Sequence, residues 1–369
     1  MSNKQMEVEG MHIPKSYTMN GGDGPRSYTK NSSYQRTVIE ESKDLINEPI
    51  EGNLDIETTC LSGTKIFAIA DLGCSVGQNT FVAVQNIIEA IENKYLSKIQ
   101  NRLSLEFQVL FNDHSSNDFN TLFRSLPPPH KYYAAGVPGS FYHRLFPKSS
   151  LHFVHCSYAL HWMSRVPEQV LDCKSPAWDK NKVHYMNASE ELHKAYSAQF
   201  KNDMESFLNA RAEELVDGGL MVIVLPNQPN ESNLLENARA MIYGIIESCL
   251  YEMVKLGSIS QENVESFYLP LYFPSSKEFA EFIRKNGKFS IERMGTMTKH
   301  MSYLNPSVEL VVRTTRAALE GLFKEQFGEE DTDEFFEHFR MKLAETFHLL
   351  DSKSREHQEL FVTLKHRKH

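Results

Sequence analysis

Asp71, Gly73 and Gly77 are the first residues whose types and spacing point to chemistry; they lie in IFAIADLGCSVGQNTF, Ile66 to Phe81. Ile66 to Ala70 are apolar or small, as in a short buried strand. A tight turn of small residues follows, and then Phe81, Val84, Ile87, Ile88 and Ile91 fall on one face of a helix. Strand, glycine turn and helix open a nucleotide-binding α/β unit, because glycine lets a ligand approach the backbone. The pattern is not GxGxxG, and an acid stands two residues before the first glycine. Bare amides at a helix start suit a pyrophosphate, and a carboxylate beside them disfavours one. Asp71 suits instead a cationic ligand with an amino group, such as S-adenosylmethionine. Taken alone, the turn is equally well read as a strand-to-helix loop without a ligand.

Two further groups stand at predicted strand ends. Leu105 to Phe111 (LEFQVLF) reads as the second strand and ends at Asn112-Asp113. An acid in that place takes ribose hydroxyls in nucleotide-binding folds. Asp113 lies further from the glycines than the usual ~20 residues; a long first helix and the polar connection Asn93 to Ser104 absorb the excess. The competing reading makes Asp113 the N-cap of the helix containing Phe119 and Leu122. Ser150 to Cys156 (SLHFVHC) reads as the fourth strand, and Ser157, Tyr158, Ala159, Leu160, His161 and Trp162 follow it. Open α/β sheets place ligands at such carboxyl ends, although a tryptophan and a hydrogen-bonded histidine are also ordinary core residues.

The elements that must position these groups alternate. A loose arm (residues 1–20) and a Gly/Pro turn (Gly21 to Pro25) lead into a helix from Ser33 to Ile46. Lys131 to Val137 reads as a third strand, Ser189 to Val216 as a long helix and Leu220 to Leu225 as a buried fifth strand. This rhythm predicts an α/β fold, a doubly wound, mostly parallel sheet. From Pro226 it changes. A helix from Leu234 to Leu256, the aromatic piece FYLPLYFPSS and a helix from Lys277 to Asn286 read as a helical cap over the strand ends. Phe289 to Met294 and Leu310 to Arg313 return to the sheet, Thr314 to Leu350 is helical, and Glu359 to Lys365 is a terminal strand. The predicted division is residues 1–226 for arm and core, 227–287 for the cap insertion, and 288–369 for the return to the core with further cap helices.

Composition narrows the function. The net charge of -9 over 369 residues gives no electrostatic footprint for nucleic acid. The basic cluster Lys365 to His369 reads as a frayed tail. No apolar run approaches the roughly 20 residues that span a bilayer, and the opening MSNKQMEVEG lacks the apolar core of a signal peptide. The 5 cysteines are scattered without a CxxC, which indicates neither a zinc site nor a disulfide framework. A cytoplasmic location is the default.

Five blocks in order complete the picture: MNGGDGPRSYTKNSSYQR (Met19 to Arg36), ADLGCSVGQNT (Ala70 to Thr80), FNDHSSNDFNTLFRSLP (Phe111 to Pro127), GVPGSFYHRLFP (Gly136 to Pro147) and HCSYALHWMSRVP (His155 to Pro167). Together they resemble the plant SABATH carboxyl methyltransferases, which act on salicylate, jasmonate, indole acetate, loganate and, in one branch, xanthine nitrogens. The middle blocks are most similar to the loganate-methylating members. The resemblance implies a Rossmann-like methyltransferase core with a helical cap, a homodimer, S-adenosylmethionine as methyl donor and a small carboxylic acid as substrate. For the cofactor it implies Tyr28 and Ser32 in the arm; Asp71, Cys74 and Asn79 at the turn; Asp113 and His114 at ribose and adenine; and Ser140 and Phe141 as the adenine wall. For the substrate it implies Gln35 and Trp162 as the two donors to the carboxylate, the catalytic pair, with Tyr158 and His161 lining the pocket. A magnesium ion, as in some family members, would fall to Asp179, Glu265 and the carbonyl of Phe267; Tyr268 departs from the family pattern there.

The chemistry agrees. A carboxylic acid of pKa about 4 is ionised at cellular pH and needs no general base. Methyl transfer from a sulfonium is an in-line displacement, so alignment is the main task. Two neutral donors orient a carboxylate without quenching its nucleophilicity as an arginine would. The alternatives are an N-methyltransferase of xanthine-like nitrogens and a catalytically silent ligand-binding module on the same scaffold.

Overall fold

The computed structural model describes residues 18–56, 66–98, 105–228, 238–300, 307–350 and 356–367. Residues 1–17 of the expected arm, and residues 234–237 of the expected cap helix, lie outside these. In chain order the main elements are α1 (Ser33–Asn53), β1 (Ile66–Leu72), α2 (Gln78–Lys98), β2 (Glu106–Asp113), α3 (Phe119–Arg124), β3 (Tyr132–Pro138), β4 (Leu151–Ser157), α4 (Glu190–Glu214) and β5 (Leu215–Asn227). Then follow α5 (Ala238–Leu256), α6 (Gln261–Glu265), α7 (Ser276–Asn286), β6 (Phe289–His300), α8 (Val308–Phe327), α9 (Glu329–Leu350) and β7 (Glu356–His366).

The strands form one seven-stranded sheet in the order β3-β2-β1-β4-β5-β7-β6. β1 to β5 pair in parallel, while β7 runs antiparallel to both β5 and β6. The chain winds outward from β1 through β2 to β3, then returns to lay β4 on the other side of β1. That reversal opens a crevice at the carboxyl ends of β1 and β4, where doubly wound sheets bind ligands.

Alternation along the strands divides the core. Phe67, Ile69, Phe107, Val109 and Phe111 pack against Val84, Ile87, Ile88 and Ile91 of α2 and Val38 and Ile46 of α1. On the opposite face Ala70, Leu72, Val154 and Cys156 meet Phe200, Met204 and Phe207 of α4. The same core continues into a cluster of rings joining α8 to α9, with Phe323 and Phe335 centroids 4.3 Å apart.

Two sequence expectations are corrected. Leu310 to Arg313 do not return to the sheet; they lie in the first turns of α8, whose N-cap Ser307 accepts from the Leu310 amide at 3.1 Å. The run Leu310-Val311-Val312 has strand propensity, but Val311, Val312, Leu319, Leu322 and Phe323 are buried at helical spacing, and packing overrides propensity. Lys365 and His366 are not part of a frayed tail. They end β7, and the Lys365 ammonium donates to the Asn53 carbonyl at the end of α1 at 2.8 Å. α1 itself runs past Ile46 through Pro49, because Ile50 and Leu54 continue its buried face.

Candidate functional site

Gly73 and Gly77 have specific reasons to be glycine. Gly73 has φ +77°, and a Cβ there would stand 2.3 Å from the Ala159 Cβ. Gly77 has φ +103°, and a Cβ would stand 2.7 Å from Thr29 Oγ1. The first glycine thus lets the turn after β1 pass under the segment after β4. The second admits the short 3₁₀ turn Tyr28–Lys30, which folds across the crevice. Asn79 at the start of α2 ties this turn down, donating to Ser32 Oγ at 2.9 Å and to the Ser32 carbonyl at 3.1 Å. Further back, the Asn20 amide donates to the Ala317 carbonyl of α8 at 3.0 Å. The arm therefore bridges the crevice and the outer helices.

The acids occupy two depths. Register pairs Asp71 of β1 with His155 of β4, and the His155 Nδ1 lies 2.6 Å from Asp71 Oδ1. Thr80 of α2 donates to the other oxygen, so Asp71 reaches the crevice already held on both sides. Asp113 lies nearer the opening. Its Oδ2 accepts from the Ser75 amide and its Oδ1 from the His114 amide, each at 2.7 Å. Burial pushes its pKa above the ordinary carboxylate value, and those two amides work against the rise. The N-cap of α3 is Asp118, which accepts from the Thr121 amide at 2.9 Å. Asp113 is not used as a cap and faces a cavity. Burial and the nearby Asp113 and Asp71 charges hold the Cys74 thiol well above its ordinary pKa, so it stays protonated.

Ser140 and Phe141 sit on the loop after β3, and a buried ion pair holds that loop. Arg211 and Glu214 of α4 meet at 2.6 Å with both side chains 0 % exposed. Arg211 donates to the carbonyls of Phe141 at 2.6 Å and His143 at 3.0 Å, while Glu214 accepts from the amides of Leu145 at 2.6 Å and Phe146 at 3.0 Å. The Phe141 ring meets Phe207 edge-on at 6.1 Å.

Three cavities meet along the crevice. One of about 270 Å³ is lined by Tyr28, Asp113, His114, Ser140, Phe141 and Trp162, among others. A narrow one of about 30 Å³ has Gln35, Asp71, Cys74 and Asn79 in its wall. The third, of about 220 Å³, is walled by Gln35, His161, Arg239, Tyr243, Phe273 and further apolar side chains of α5 and α8. Tyr158 borders all three. Its backbone is left-handed at φ +56°, a conformation that costs a bulky residue roughly 1–3 kcal/mol and collects at functional sites. The structure therefore brings the expected cofactor residues together around the first two cavities, with Ser32 holding Asn79 from behind. Gln35 and Trp162 line no cavity in common; Tyr158 stands between them.

Gln35 Oε1 and His161 Nδ1, both in the wall of the 220 Å³ cavity, are buried without a hydrogen-bond partner among the described residues, as are Ser75 Oγ and His155 Nε2 in the wall of the narrow cavity beside it. The Tyr158 hydroxyl is taken up by Glu359 and Tyr34. Buried polar atoms are ordinarily satisfied, so the unpaired atoms along these walls mark a place for a polar ligand. Burial first, and the Arg239 charge second, push the His161 pKa down to about 3, which keeps the imidazole neutral.

Sequence reasoning missed Tyr34, Arg239 and Glu359. The Tyr34 hydroxyl donates to Glu359 Oε1 at 2.6 Å, and Arg239 Nη2 meets the same oxygen at 2.9 Å. The Arg239 guanidinium lies 5.5 Å from the Phe273 ring centroid. The three residues come from α1, β7 and α5, far apart in sequence. The available signal was a charge at or near the head of each of two apolar runs, Arg239 in ARAMIYGII and Glu359 in ELFVTL.

The implied magnesium ligands do not make a fitting donor set, which corrects that expectation. Asp179 Oδ2 accepts from the Ser189 amide at 3.0 Å, and Glu265 Oε1 pairs with the Lys180 ammonium at 3.4 Å. Lys180 thus stands where a cation would be wanted. Phe267 packs its ring on Phe323 and Phe327, each at 5.1 Å. Burial pushes the Tyr268 phenol up to about 12, so it stays protonated and a poor ligand. No group of three or more His, Cys, Asp or Glu among the described residues is arranged to hold a metal ion, and no helix among them is long and apolar enough to cross a membrane.

Comparison with known proteins agrees with this geometry. The sequence pattern of the SAM dependent carboxyl methyltransferases matches residues 14–367. The chain is 45 % identical to loganic acid O-methyltransferase of Catharanthus roseus, over 95 % of this chain and 94 % of that one. It is 40 % identical to farnesoic acid carboxyl-O-methyltransferase of Arabidopsis thaliana, over 89 % and 93 % of the two chains. A solved structure of loganic acid methyltransferase with SAH superposes with a TM-score of 0.91 at 45 % identity, covering 95 % of this chain and 99 % of that one.

Proposed function

The chain belongs to the S-adenosylmethionine-dependent carboxyl methyltransferases, and on that premise we propose that it esterifies a small plant acid of the iridoid or terpenoid kind, loganic acid foremost. The likeness to the Catharanthus enzyme supports that choice of acid. The observation that carries the reading is the pair of unsatisfied buried atoms on Gln35 and His161, beside the cavity that holds the expected cofactor residues.

S-adenosylmethionine supplies, when bound, a methyl group on a positively charged sulfur. Tyr28, Asp113, Ser140 and Phe141 bind it on one side of Tyr158, and the body of the acid lies on the other, with its carboxylate at the junction beside Tyr158. Gln35 and Trp162 approach the carboxylate from the two sides. The Gln35 amide presents its N–H₂ there after a half-turn of its carboxamide that exchanges O and N. A carboxylate oxygen attacks the methyl carbon, the sulfur–carbon bond breaks, and its electron pair remains on sulfur as a thioether. No proton moves, so a His161 held neutral by burial is no obstacle to the step. The two reacting charges vanish together, so dry walls favour the step. Under this reading the enzyme works in the cytosol as a homodimer and takes no catalytic step through magnesium.

The test is methylation of candidate acids with labelled methyl donor. The product should be a base-labile methyl ester. Trp162→Phe and Gln35→Leu each delete one donor to a charged group at nearly constant bulk, at about 1.5–3 kcal/mol, or roughly ten- to a hundredfold in kcat/KM. Both variants should still bind S-adenosylhomocysteine. An N-methylated product, or full activity in the double variant, would falsify the carboxylate reading.

A further inference from the structure

We infer that Arg239, held by Glu359, selects acids that carry a neutral oxygen substituent, a hydroxyl or carbonyl, on the body remote from the reacting carboxylate. This rests on the carboxyl methyltransferase reading above and names the substrate class more narrowly. Nothing in the transfer chemistry calls for Arg239. The reacting carboxylate is oriented by neutral donors, and the cofactor residues surround the neighbouring cavities. Yet a guanidinium stands in the wall of the 220 Å³ cavity.

Its surroundings say what it recognises. Arg239 donates to the Asn227 carbonyl at 3.1 Å and to Glu359 at 2.9 Å, and stacks over Phe273. These contacts fix its plane from β5, β7 and the aromatic segment, so it is a built feature of the wall and not a surface charge folded inward. Glu359, 0 % exposed in its side chain, cancels the guanidinium charge. A second carboxylate on the substrate would therefore meet a neutral pair with an acid in it, and would be repelled by Glu359 as much as drawn by Arg239. A neutral oxygen meets no such opposition. His161 Nδ1, buried and unsatisfied, lines the same cavity and can share it. The rest of the lining, including Ile242, Tyr243, Leu310 and Val311, is apolar or aromatic and fits a hydrocarbon body. A polar spot in an apolar cavity discriminates sharply, because an analogue without the oxygen leaves buried polar groups unpaired.

The experiment compares acids in matched sets. Each carbon skeleton is offered as the parent acid, its neutral hydroxylated form and its diacid: cinnamic, 4-hydroxycinnamic and 4-carboxycinnamic acids, with geranic acid and its 8-hydroxy and 8-carboxy forms. Wild type should prefer the hydroxylated member of at least one set by about tenfold or more in kcat/KM. In Arg239→Met/Glu359→Gln, which removes both charges together, that ratio should collapse toward one; the ratio cancels any loss common to all acids. Binding of S-adenosylhomocysteine reports that the variant is folded. Should it not fold, Arg239→Lys, which keeps the charge and loses the planar fork, should lower the same ratio. A wild-type preference for the parent acids or the diacids, or a ratio unchanged in the folded variant, overturns the inference and leaves the carboxyl methyltransferase reading standing. Failure to methylate any acid removes both.

Discussion

Replacing Arg211 by Met should cost the enzyme a large part of its stability and the shape of its cofactor wall together. Arg211 is 0 % exposed and joins Glu214, the Phe141 carbonyl and the His143 carbonyl. Met fills similar volume but donates nothing. Glu214 keeps two backbone amides, from Leu145 and Phe146, but becomes a buried charge without its counterion. Breaking a buried pair in this way costs about 3–5 kcal/mol, against a typical total of 5–15 kcal/mol for a whole domain. Urea denaturation should show the midpoint falling with the slope unchanged. Adding Glu214→Gln removes the stranded charge while retaining an acceptor for both amides, so the double variant should recover part of the loss. Because Phe141 is held by Arg211 and lines the 270 Å³ cavity, calorimetry with S-adenosylhomocysteine should show weaker binding in both variants. A loss below about 1 kcal/mol, the size of an exposed pair, or a double variant no more stable than the single one, refutes the argument.

Gly77→Ala puts a Cβ into Thr29 at φ +103°, so the arm must lift; cofactor affinity should fall, by the roughly 1–3 kcal/mol such a backbone conformation costs, and unchanged affinity by calorimetry refutes the close approach. His161 and His184 both have their pKa pushed down to about 3 by burial, so between the ordinary 6.5 and 3 the unfolded chain binds protons the folded chain refuses. Their contribution is complete above pH 6.5 and is lost as the pH falls, with a slope of up to about 1.4 kcal/mol per pH unit for each. Buried Asp203 and Glu247, whose pKa values are raised, act in the opposite sense, so the measurement is the difference between wild type and His184→Gln, which should lose less stability than wild type from pH 7 to 5. Exhaustive chelation should leave turnover intact; near-complete loss restored by magnesium alone would show that Lys180 does not take the place of an ion.

The parallel half of the sheet was legible because its strands are short apolar runs bounded by glycines, prolines and acids, and each such run has one good solution. Leu310-Val311-Val312 misled for the same reason: an apolar run with two β-branched valines outweighs a helical period that becomes visible only over the longer stretch to Phe323. Asp71 and Asp113 were readable as acids at strand ends, but not their different depths. Strand register decides those, by setting His155 opposite Asp71 and leaving Asp113 at the rim. The N-cap of α3 fell to Asp118, a choice between two acids five residues apart that local sequence does not settle. Tyr34, Arg239 and Glu359 were out of reach, since their meeting depends on how α1, α5 and β7 pack.

The buried charges around the crevice follow one rule. Asp71 is held by His155 and Thr80, Glu214 by Arg211, and Glu359 by Arg239. Each of these carboxylates has its partner inside the protein, so Arg211 and Arg239 are not left to pair strongly with the reacting carboxylate. This matters for the chemistry. A free arginine at the substrate would hold its carboxylate by a charge-assisted, bidentate bond, stabilising the ground state more than a transition state in which that charge is already fading, and would slow the transfer. Arg239, tied to Glu359 and remote from the reacting carboxylate, keeps the milder task of recognising an uncharged oxygen. Glu359→Gln alone should therefore release the guanidinium toward a second carboxylate: diacids should bind more tightly, with a lower KM relative to the matched parent acids, at a little-changed kcat. A diacid-to-parent KM ratio unchanged in a variant that still binds S-adenosylhomocysteine would mean that Glu359 serves only to hold the fold, and the electrostatic argument would fail there.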